Sequence, residues 1–105
     1  MFVKVSADGR ASLEDRDNFR AFKLVIEGDP TQIDIARRAL SGVAELPDSA
    51  TAWIAEAALR QRPEVAQDQA WQQGLSTMIE KARPHGWIDD QRRAIKAHIE
   101  WTQPA

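Results

Sequence analysis

The chain has 105 residues, 43% hydrophobic and 29% charged, a balance that suits one globular domain and argues against a disordered chain. It has no cysteine, which excludes disulfides, thiolate metal sites and a cysteine nucleophile. The formal net charge is −2, and residues 1–30, 31–62 and 63–105 carry five, four and five basic side chains against six, four and six acidic ones, so no segment has the basic excess of a dedicated nucleic-acid binder.

The chain order begins with Phe2-Val3-Lys4-Val5, a β-prone run that leads into Asp8-Gly9, the preferred pair of a tight hairpin turn. A returning strand is expected over about 11–13. Over 19–27, Phe22, Leu24 and Ile26 alternate as a strand would, whereas Phe19, Phe22 and Ile26 also fit a helix. The pair Val25-Ile26 and the stop at Gly28 favour the strand.

Asp29-Pro30-Thr31-Gln32 reads as a helix start: Asp29 caps, Pro30 occupies the first position and Gln32 reaches back. Ile33, Ala36, Leu40 and Val43 then form one stripe, and the helix is expected over about 30–42. A second helix is expected over about 49–61, capped by Asp48 or Ser49, because Ala50, Trp53, Ile54, Ala57 and Ala58 recur at helical spacing. The alternative is a short strand near 51–54, giving a βαβ unit. Pro63 opens a third helix over about 64–83, with Trp71, Leu75, Met78, Ile79 and Ala82 as its stripe. A last helix is expected over about 88–101, with Ile88, Ile95, His98 and Ile99 inward and Asp89 and Asp90 at its N-terminus. The expected fold is a single α+β domain over 1–105: a small N-terminal antiparallel sheet packed on about four helices.

No constellation for catalysis emerges. The serines have no histidine near in sequence, the glycines are dispersed, and Asp89 and Asp90 are adjacent, so on a helix they diverge by about 100°. His85 and His98 lack metal-ligand spacing, so neither a metal nor a cofactor is expected. The four tryptophans, Trp53, Trp71, Trp87 and Trp101, serve either as core anchors or as the lining of a pocket or interface. Arg37, Arg38, Arg92 and Arg93 are candidates for contact with an anion if their clusters converge.

The leading expectation is therefore a non-enzymatic module that forms a homodimer or binds a protein partner through tryptophan-rich surface. The alternative is a small-molecule binder or minor enzyme with a tryptophan-lined pocket holding His85 or His98. No apolar run reaches membrane length, Leu24-Val25-Ile26 being closed by Lys23 and Glu27, and the start lacks a secretory stretch, so the expected setting is the cytoplasm, away from the membrane.

Overall fold

In the structure, a computed structural model that describes residues 1–103, the N-terminal hairpin forms β1 (Phe2–Val5) and β2 (Ala11–Glu14), paired antiparallel with Val3 opposite Leu13. Gly9 makes the turn possible, with φ at +86°. The chain then crosses to β3 (Lys23–Glu27), which lies parallel to β1; residues 19–22 do not join the strand.

Asp29 acts as anticipated. Its carboxylate accepts the Thr31 N–H at 2.9 Å, and the Gln32 side chain accepts the Asp29 N–H at 3.4 Å. A 3₁₀ turn at 30–32 leads into α1 (Ile33–Ala39), and Gly42 follows with φ at +81°.

Beyond this point the architecture departs from the expected one. Residues 49–61 are not one helix. They form β5 (Thr51–Ala55) and the short α2 (Glu56–Arg60), with the two-residue β4 (Ala44–Glu45) beside β5. Asp48 caps no helix. Its carboxylate accepts the N–H groups of Ala50 and Thr51 at 2.8 and 2.9 Å, a turn that launches a strand with the same residue that would cap a helix. The helix expected from residue 64 begins only at 69, as α3 (Gln69–Ala82), because Asp68 supplies the cap by accepting the Trp71 N–H at 3.0 Å.

The largest correction is the last element. Residues 88–101 are not a helix but β6 (Ile88–Asp89) and β7 (Ala94–Thr102), joined by a turn in which Asp89 accepts the N–H groups of Gln91 and Arg92. In β7, Ile95, Ala97 and Ile99 are buried while Lys96, His98 and Glu100 are exposed, a period of two.

The seven strands form one curled, half-barrel mixed sheet in the order β2-β1-β3-β7-β5-β4, with β6 on the flank of β7. The fold is sheet-dominated with three short helices, not a small sheet under four helices. The βαβ alternative also fails, although its strand exists: β5 and β3 both border β7, one antiparallel and one parallel, so they run in opposite directions. The helices cover the face carrying Val3, Leu24, Ile26, Ile54 and Ile99, where Leu75, Met78 and Ile79 of α3 complete the core. No described helix is long and apolar enough to cross a membrane.

The β2 edge is closed by side chains instead of another strand. Arg62 donates to the Ala11 carbonyl at 3.0 Å, and Glu64 accepts the Leu13 N–H at 3.2 Å and an Arg62 guanidinium N–H at 3.1 Å. Partial burial would raise the Glu64 carboxyl. The hydrogen bonds from its own N–H, from Arg62 and from Leu13, with the charge of Arg62, outweigh it and hold the group below the ordinary value. A carboxyl lowered in the folded state contributes stability above the ordinary value of about 4.3 and loses it as pH falls through the folded value. Urea midpoints are therefore expected to drop on acidification below about pH 4.3, and less steeply in Glu64→Gln. An identical pH profile for the two proteins would contradict this role.

Candidate functional site

β7 is the longest strand, and its two sides are not equally covered. β5 pairs with it from Ala94 to His98 on one side. On the other side, β6 reaches only Ala94 and Ile95, the Lys96 N–H donates to the Trp87 carbonyl at 2.8 Å, and β3 takes over at His98. Between these neighbours, residues 17–22 swing away from the sheet. The break opens a cleft of about 1180 Å³.

One wall of the cleft is helical. Thr77, Lys81 and His85 recur every four residues along α3 and the 3₁₀ turn that follows it, so they share a face. On the strand side the lining includes Thr51, Lys96 and His98, which stand on the face of the sheet turned away from the core. Met78, Ala82, Ile95 and Ala97 form the floor, where the cleft meets the core.

The third side is the segment 17–22, with Phe19, Arg20 and Phe22. It is tied down from both ends of its path. The Trp71 indole N–H donates to the Arg16 carbonyl at 2.9 Å, and the Phe19 ring lies 6.0 Å from that of Trp71. The Met1 amino group donates to the carbonyls of Asn18 and Ala21 at 2.8 and 3.0 Å. Burial lowers this amine below its ordinary value, the Asp15 carboxylate works against that, and Lys23 adds to it. Gly74 is what lets the Phe19 ring rest on α3: a Cβ there would stand 2.5 Å from the ring.

At the mouth, the His85 and Trp87 rings stack with centroids 4.4 Å apart and planes 19° from parallel. The indole remains 47% exposed, so the stacked pair presents an aromatic face at the mouth. Lys81, Lys96, His85 and His98 are all exposed, and the carboxylate lining the cleft is that of Asp17.

The structure thus draws His85, Trp87 and His98 into one place. It does not bring the other tryptophans there. Trp71 is buried beneath Phe19, and Trp101 donates to the Ser49 carbonyl at 2.7 Å away from the cleft. Trp53 lines a separate hollow of about 330 Å³ with Glu45 and Arg92. The arginine clusters stay apart from the cleft. Arg37 is engaged by Asp34 and the Leu46 carbonyl, Arg92 by Glu45 and Asp89, and Arg38 and Arg93 lie outside the lining.

Sequence reasoning did not single out Phe19, Phe22 or Lys81 for the lining of a cleft. The spacing Thr77-Lys81-His85 was a usable signal, and so was a glycine in the middle of a good helix, which costs about 1 kcal/mol against alanine unless something needs the space. Among the described residues, no three His, Cys, Asp or Glu side chains gather as metal ligands.

Fold and site together define a sheet-based domain with a side cleft walled by a helix and an interrupted strand border. No protein-family model, curated protein or solved structure matches this chain.

Proposed function

We propose that this domain binds a small organic ligand in the cleft beside β7. The observation that carries the reading is convergence: the His85–Trp87 pair from the turn after α3 and His98 from β7 line one hollow of about 1180 Å³ with an apolar floor. That volume is ample for a ligand of drug size, for which pockets run to about 1,000 Å³. The His85–Trp87 stack supports the same reading, since aromatic faces are common in the lining of ligand pockets.

The test is native mass spectrometry after incubation with the small-molecule fraction of a cell extract, comparing the wild type with Thr77→Trp. Thr77 is exposed on the helical wall, so a larger side chain there fills the cleft without entering the core. A defined extra mass on the wild type, absent from Thr77→Trp, is the expected result. Bare protein in both samples, or equal loading of both, overturns the proposal.

Self-association is the second reading. Trp87 and Ile35, 47% and 57% exposed, are the large hydrophobic side chains left open to solvent among the described residues, and tryptophan is enriched at interfaces. In that case the same spectra show a dimer that Trp87→Ala dissociates. A cytoplasmic setting, in keeping with a chain without cysteine, belongs to the same proposal.

A further inference from the structure

The charge of the cleft runs against that of the protein. The whole chain is acidic, with 16 acidic side chains against 14 basic ones. The cleft lining instead holds Arg20, Lys81 and Lys96 with Asp17 as its carboxylate. Ion pairing sharpens the contrast. Among the described residues, seven of the 14 basic side chains lie within 4.0 Å of a carboxylate, and none of the seven lines the cleft. Arg20, Lys81 and Lys96 all belong to the other seven. Among the described residues outside the cleft, seven of 11 basic side chains have a carboxylate within 4.0 Å; of the three that line it, none does.

We infer that the ligand of this cleft is an amphiphilic organic anion: an apolar or aromatic body carrying one carboxylate, sulfonate or phosphate group. The inference rests on the ligand-binding reading above and names its ligand class. Two features set the class together. An inorganic anion has no use for the floor of Met78, Ala82, Ile95 and Ala97, whose burial against a ligand favours an apolar body. A neutral apolar ligand has no use for three cations, Arg20, Lys81 and Lys96, that line the cleft with no carboxylate within 4.0 Å among the described residues. The body lies on the apolar floor beside the His85–Trp87 stack, and the anionic group takes charge-assisted hydrogen bonds from the cations of the lining.

A matched pair of fluorescent probes tests this on the full chain. Anilinonaphthalene sulfonate and phenylnaphthylamine share the same aromatic body and differ by the sulfonate. The wild type is expected to bind the sulfonate about tenfold more tightly than the neutral probe, the scale of one charge-assisted contact, and to lose that margin as salt is added. The double variant Lys81→Gln/Lys96→Gln is expected to bind the sulfonate about tenfold more weakly and the neutral probe unchanged. Both side chains are exposed, so its melting temperature should match the wild type. Equal affinity of the wild type for the two probes, or an undiminished sulfonate affinity in the double variant, overturns the anionic class while the cleft remains a binding site. Failure of both probes to bind, or equal binding of both to Thr77→Trp, overturns the ligand-binding reading itself.

Discussion

Replacing Ile99 with alanine is expected to cost about 2–5 kcal/mol of unfolding free energy, while replacing its neighbour His98 with alanine changes stability by no more than about 0.5 kcal/mol. Ile99 is 3% exposed and stands on the covered face of β7 opposite Leu24; His98 points to the other face and is exposed. Successive residues of a strand lie on opposite sides of the sheet, so the two substitutions must differ sharply. On a helix both residues would share the inner face and the losses would be alike. Urea unfolding with an unchanged denaturant slope reads the difference directly. Similar losses at both positions would refute the strand.

Truncating Trp71 is expected to have the other large effect. Trp71→Ala should cost about 3–5 kcal/mol, because the indole is 2% exposed and packs between α3 and the 16–19 segment. Trp71→Phe keeps most of the apolar area and loses the hydrogen bond to the Arg16 carbonyl, for an expected cost of about 1–3 kcal/mol. The phenylalanine variant should still fold, and its measured consequence reaches the cleft: with the 16–19 segment less firmly held, Phe19 no longer fixes one side of the site. Anilinonaphthalene sulfonate affinity is expected to fall in Trp71→Phe. A variant that is destabilised yet binds the probe like the wild type would uncouple the core from the cleft.

The coupling has a simple origin. The core and the site share a boundary, with Met78, Ile95 and Ala97 belonging to both. Packed interiors are close to crystal density, so a loosened indole is felt by whatever rests on it. Lys81 and Lys96 are exposed and stand clear of that boundary, so their replacement is expected to leave stability unchanged.

The elements that the sequence determines by itself are those whose signals are local. The Asp8-Gly9 turn, the Asp29-Pro30-Gln32 cap and the stripe Trp71, Leu75, Met78, Ile79 and Ala82 each depend on neighbours within a few residues, and all five stripe residues are buried in α3. Only the tertiary structure decided the rest. Over 49–61 and 88–101 the same letters satisfy both periods: Ala52 and Ile54 mark a strand just as Ala50, Trp53 and Ala57 mark a helix, and alanine is too small to decide between them. Asp48 and Asp89 accept N–H groups two and three residues on, as a turn does and as a helix cap also does. The tie was broken by hydrogen bonds from far along the chain. β7 sits in the middle of the sheet, bordered by β3, β5 and β6, and its backbone groups find partners that no local window contains. The cleft has the same origin, since it exists where β6 stops and β3 has not yet begun. His85 and His98 are thirteen residues apart in the chain and come to line one cleft where a strand border is interrupted.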